Sequence, residues 1–197
     1  MPDIKLSVLV AGIPERLPCT VLADLCRQAT GKPVQLVYLL DNRVASVGDK
    51  RSDLLAMARG EYVTFVDDDD GVATDYVARL LEAIAAANGA DVITFAQKCT
   101  HADTGVVEWC RYGLTMDYKR IQVAGQPGVF NWEGKPAHTM LWRRELVQRV
   151  DFPSRDFGED VGWVQRACEL AKTEYEIAGW TGYYYNFNPA TSRTRGL

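Results

Sequence analysis

Four consecutive aspartates, Asp67 to Asp70, follow directly on the apolar run YVTFV at 62–66. Carboxylates packed this closely repel one another by roughly 1 kcal/mol per pair at 4 Å in water, and by about four times that near a protein surface. Such a run is retained where something positive belongs. If the backbone stays extended past Val66, the period of two puts Asp67 and Asp69 on one side of the strand and Asp68 and Asp70 on the other. Two carboxylates on one side can share a hard divalent cation, Mg²⁺ or Mn²⁺, which keeps its other positions for water and phosphate oxygens. A solvated acidic turn, with one aspartate capping the next helix, is the simpler account of an isolated pair. Four in a row after a buried strand ask for more than that.

Other residues of the same chemical kind stand at element ends. Asp41 closes the run VQLVYLL at 34–40, where it could also be a plain turn residue before Asn42. Glu159 and Asp160 open a helical pattern, a place that favours carboxylates for dipole reasons alone. His138 beside a strand reads as a metal ligand, an acceptor contact or a satisfied structural residue, and Trp132 in FNWEGKP as a ring that could stack on a sugar face.

What must position these residues is an alternation of strands and helices, the signature of an α/β domain. Residues 5–10 read as a first strand, 19–29 as a helix, 34–40 as a strand covered on both faces, and 50–59 as a helix closed by Gly60. The strand at 62–66 leads through the aspartates to a helix at 75–88, with Thr74 as its N-cap, and a fourth strand follows at 91–96. Four strands each reached through a helix imply a parallel sheet. Farther on, 97–110 reads as a hairpin turning at 103–105, 138–142 as a strand and 143–150 as a short helix. A helix at 159–172 should bury Val161, Val164 and Cys168, and 182–187 reads as a last strand. Residues 111–135 carry no recognisable pattern.

The chain has 197 residues, 47% of them hydrophobic, enough for one domain with a real core. With 22 Lys and Arg against 26 Asp and Glu, no broad basic surface is available for nucleic acid. The five cysteines form no C-x-x-C pair and read as free thiols of a reducing compartment. Neither a signal peptide nor a run of ~20 apolar residues is present, so the expectation is a cytoplasmic protein.

These pieces, taken in order, resemble a family 2 glycosyltransferase of the GT-A fold. The likeness rests on the first strand, on LLDN at the end of the second, on GDKRSDLLAMARGEYVTFVDDDD, and on HTMLWRRELV followed by FGEDVGWVQRA. A bare D-x-D is a weak signal; the ordered set is a strong one. The resemblance implies a single Rossmann-like α/β domain with a mostly parallel central sheet, helices on both faces and a smaller mixed β region in the second half. Residues 1–96 would bind the nucleotide sugar, 97–187 the acceptor, and 188–197 would be a flexible tail.

It further implies an inverting transfer of one sugar from a nucleoside-diphosphate sugar, most often UDP-linked, to an acceptor hydroxyl, with Mn²⁺ or Mg²⁺. Asp41 would bind the base, and Lys50 and Arg51 would lie near the base or the phosphates. Asp67 and Asp68 would contact the donor, and Asp67 and Asp69 the metal. Asp160 would be the general base and Glu159 would shape the acceptor pocket. Arg193 and Arg195 would close over the diphosphate, with Trp132 and His138 on the acceptor side. A glycan or a lipid-linked sugar is the acceptor such enzymes usually take; a modified nucleic-acid base is disfavoured by the acidic balance. The absence of a Q-x-x-R-W motif points to single addition. Two rivals stay open: a sugar nucleotidyltransferase, which shares the sheet topology, and a non-enzymatic metal- or carbohydrate-binding protein, which the aspartates alone would permit.

Overall fold

The computed structural model describes residues 3–189. Three parallel strands carry the first half: β1 (Leu6–Gly12), β2 (Val34–Leu40) and β3 (Tyr62–Asp67). β1 lies in the middle, pairing Gly12 with Leu40 of β2 and Ala11 with Asp67 of β3. That register brings the carboxyl ends of all three strands level. It sets Asp41 and the aspartate run at the end of the sheet where open α/β folds bind ligands.

The crossovers are α1 (Thr20–Ala29) and α2 (Val47–Met57). Ser46 caps α2, its Oγ accepting from the Asp49 amide. The helix stops at Ala58, so Gly60 is not its cap. Gly60 is required for another reason: a Cβ there would stand 2.5 Å from the Ser7 amide nitrogen. Gly48, in the first turn of α2, is pressed against the chain at 153–155. A Cβ at that position would sit 1.8 Å from the Pro153 carbonyl oxygen, and the Gly48 amide donates to the Arg155 carbonyl.

Beyond β3 come a two-residue strand β4 (Gly71–Val72), helix α3 (Tyr76–Ala86) and the long strand β5 (Val92–His101). Asp75, not Thr74, occupies the N-cap of α3, without a side-chain cap bond. The second half supplies β6 (Val107–Tyr112), β7 (Lys119–Gln122), β8 (Val129–Gly134) and β9 (Leu141–Arg143). It continues through α4 (Arg144–Val147) and α5 (Glu159–Leu170) and ends with β10 (Glu174–Phe187). The strand order is β2-β1-β3-β9-β5-β6-β8-β7, with β10 beside β5 and β4.

The sheet is mixed, with long parallel ladders joining β1 to β2 and β3, β10 to β5 and β6 to β8, and shorter antiparallel ones among the strands of the second half. β9 inserts antiparallel between β3 and β5, bringing the fully buried Leu141 and Trp142 into its centre. β2 is half-exposed along its length because it forms the edge, which overturns the expectation that both its faces are covered. In α5 the buried side chains are Glu159, Trp163, Val164 and Ala167, while Val161 is exposed. Trp163 stacks on Phe152 at 4.7 Å and meets Trp142 edge-on at 5.6 Å, an aromatic block under the aspartate end of β3. No helix among the described residues is long and apolar enough to cross a membrane.

Candidate active site

The strand ends at Asp67, and the backbone then turns, with the Asp70 amide donating to the Asp67 carbonyl at 3.2 Å. Strand alternation therefore does not govern the aspartates, and the four go to four environments. Asp67 Oδ1 accepts from Arg51 Nη2 at 2.8 Å, and its Oδ2 lies 3.6 Å from His138 Nε2. Burial opposes its charge, but Arg51 and His138 outweigh burial and hold the carboxyl well below the usual carboxylate range. Asp68 is buried and accepts from the Ile13 amide and from Arg16. Asp69 is one-third exposed and paired with Arg16 Nη2 at 2.8 Å. Its partial burial, reinforced by Asp67 and Asp68 and opposed by Arg16, pushes it up to about 6. Asp70 is buried, accepting from the Tyr183 hydroxyl at 2.7 Å and the Asn186 amide at 2.8 Å; burial and the nearby Asp67 push it up to about 8.

A frame of buried cations stands behind this turn. Consecutive residues of α2, Lys50 and Arg51, both point inward and are 2% and 5% exposed. Lys50 Nζ reaches Asp41 at 2.7 Å and the Gly12 carbonyl at 3.4 Å. Arg51 forks between Asp67 and Glu159, the latter at 2.5 Å. Asp41 also accepts from the amides of Val44 and Ala45, and the Lys50 bond foremost brings it down to about 2. A carboxyl whose folded value is depressed adds stability that is present above its unfolded value near 3.9 and is lost as pH falls through about 2. Asp41→Asn should therefore cost about 2 kcal/mol at pH 7, and the difference from wild type should vanish near pH 2. Urea denaturation at a series of pH values checks this.

Glu159 and Asp160 diverge at the start of α5, which follows the left-handed Gly158. Glu159 turns inward and is buried against Arg51. It lines the cavity and also holds the arginine that holds Asp67. The Asp160 side chain is 35% exposed, with Oδ1 accepting from the Val161 amide and Oδ2 3.5 Å from His138 Nδ1. His138 thus lies between Asp160 and Asp67, itself 8% exposed, and its Nε2 is buried without a hydrogen-bond partner.

These groups surround one cavity of ≈ 310 Å³. Arg16, Lys50, Arg51, Asp67, Asp68, Asp69, Glu159 and Asp160 all line it. Asp41 stands behind Lys50, and His138 behind the two carboxylates. Trp132 is elsewhere: its ring packs on Tyr112 at 5.4 Å and Tyr118 at 5.6 Å, and it does not line the cavity. Arg193 and Arg195 lie outside the described residues. Two contributors went unread in the sequence, Arg16 and Tyr183. Arg16 is the one cation in the loop at 11–19, which follows a strand end, and that was a usable signal. Tyr183 donates to Asp70 and accepts from the Asp67 amide across 116 residues, a pairing that no local pattern reveals.

The donor set at the turn is all oxygen, which suits Mg²⁺ or Mn²⁺. Asp69 offers the more accessible carboxylate, and both Asp67 oxygens already face cations or His138.

Residues 22–148 match the model of the family described as glycosyl transferase family 2. Among solved structures the chain is similar to TarS residues 1–349 of S. aureus, at a TM-score of 0.65 and 17% identity, covering 92% of this chain and 60% of that one. The same protein in complex with UDP-GlcNAc gives a TM-score of 0.64 at 17% identity, covering 98% of this chain and 61% of that one. Its complex with UDP gives 0.60 at 18% identity, covering 94% and 61%. The chain thus spans about three-fifths of the length of these structures. None of the curated proteins matches.

Proposed function

The chain belongs to glycosyl transferase family 2, and from that premise we propose that it moves one sugar from a UDP-linked donor to an acceptor hydroxyl, with inversion and with Mn²⁺ or Mg²⁺. The observation that carries this reading is one cavity lined by basic side chains, the acidic turn and the partly exposed Asp160. UDP and UDP-GlcNAc bound to the structurally similar TarS support the choice of donor.

In this reading the acceptor oxygen attacks the anomeric carbon as the bond from that carbon to the diphosphate breaks, and the hydroxyl proton passes to Asp160. A sugar hydroxyl is a weak nucleophile until a carboxylate takes its proton. Arg51 and Lys50 supply fixed positive charge toward the diphosphate in a partly dry pocket, where it acts most strongly. Arg51 also fixes the distance between the turn and the start of α5 by bonding Asp67 and Glu159 at once. Asp69, with Asp67, would hold the divalent ion. When bound, that ion neutralises charge gathering on the departing diphosphate.

Calorimetry of UDP binding tests the proposal. Mn²⁺ should raise the affinity at least tenfold over the metal-free protein, and Asp69→Asn should abolish that gain. A UDP affinity that ignores the metal would remove the metal-dependent donor site.

A further inference from the structure

The hairpin of β5 and β6 carries a second set of ligating side chains, none of which lines the donor cavity. Cys99 stands opposite Glu108 in the antiparallel register, and His101 is two residues along β5, so all three share one face. A ligand atom from each lies within 4.8 Å of the other two, the one such trio of His, Cys, Asp or Glu among the described residues. His101 Nε2 is buried with no hydrogen-bond partner, and it faces Glu108 Oε2 at 4.0 Å. The other oxygen, Glu108 Oε1, is held by Arg120 Nε at 2.6 Å, the outer-shell contact that orients a ligating carboxylate. Phe187 packs against the His101 ring at 5.1 Å and limits its rotation.

We propose that Cys99 Sγ, His101 Nε2 and Glu108 Oε2 bind one Zn²⁺, with water in the fourth position. A sulfur, an imidazole nitrogen and a carboxylate oxygen are the donors that borderline-soft Zn²⁺ takes. Tetrahedral bonds of about 2.0–2.3 Å bring ligand atoms to roughly 3.3–3.6 Å apart, so these side chains close by no more than about 1.5 Å. Burial, then Cys110 and Glu108, keep the metal-free Cys99 thiol protonated, pushed up to about 12. Coordination exchanges that proton for the metal: the S–H bond breaks, the proton leaves to solvent and the sulfur pair binds zinc, with no change of oxidation state. The oxygen-only aspartate turn selects differently, which separates the two sites chemically.

Titration of the metal-free protein with Co²⁺, the spectroscopic stand-in for zinc, tests the site. One equivalent should produce a thiolate-to-cobalt charge-transfer band and strong visible bands of a four-coordinate ion, displaced by Zn²⁺ but not by Mg²⁺. Cys99→Ser should remove the charge-transfer band, and His101→Ala should weaken binding at least tenfold. Cys26→Ser, at an exposed cysteine of α1, should change nothing. Absence of the band in wild type, or its survival in Cys99→Ser, overturns the proposal. Should the variants not fold, anomalous scattering from a zinc-soaked wild-type crystal decides: a peak bonded to all three side chains supports the site and no peak overturns it. Cobalt at the aspartate turn gives no thiolate band, so failure here leaves the donor reading untouched.

Discussion

Asp160→Asn is expected to lower sugar transfer by about 10²–10⁴-fold while leaving UDP affinity within twofold of wild type. The amide keeps the shape of the side chain and can still accept from the Val161 amide, so the start of α5 is preserved. What it loses, on the mechanism proposed above, is the capacity to take the acceptor's proton. Steady-state transfer and calorimetry on one preparation separate the two effects. A variant that turns over normally would show that this carboxylate serves only the first turn of the helix, where a negative charge is worth about 0.3–1 kcal/mol of stability and no chemistry.

Arg51→Met should be the most destabilising change at the site, by about 3–5 kcal/mol. The methionine fills the same space, but Asp67 and the buried Glu159 then face each other without the cation that both now share. Burial already raises the Glu159 carboxyl with Arg51 present, and removing the guanidinium drives it further the same way. Arg51→Lys keeps the charge but cannot fork to two carboxylates, so it should fall between wild type and methionine. Adding Glu159→Gln to Arg51→Met should recover part of the loss, because one stranded charge has gone. Denaturant unfolding of the four proteins measures each step; equal stability of Arg51→Met and wild type would mean that the fork contributes nothing.

The parts of the fold legible in the sequence were those fixed by local pattern. The strands read at 34–40 and 62–66 and the helix read at 19–29 follow from apolar runs and helical spacing, and the structure has them at Val34–Leu40, Tyr62–Asp67 and Thr20–Ala29. The insertion of β9 was not legible, since two apolar residues and an arginine fit a parallel neighbour as readily as an antiparallel one. β10 was read only from Gly182 onward. Its first half, EYEIAGW, mixes charged and small residues because it pairs with β5 on one side through a register shift. At the site, residue types marked the cluster, but partners did not show. Nothing near Glu159 in the sequence indicates that it faces Arg51, 108 residues away. The aspartates were read as an extended strand, whereas the Asp70 amide closes a turn and sends each carboxylate to its own neighbour.

The bare contact between Gly48 and the Pro153 carbonyl has a consequence for the cavity beside it. It acts as a gauge block. α2 carries Lys50 and Arg51, and the segment after Pro153 leads within seven residues to Asp160, so the gap between Asp160 and these two cations is machined where no side chain can enter. Even one methyl group there would act as a shim, opening the jaws of the cavity from behind without touching any group inside it.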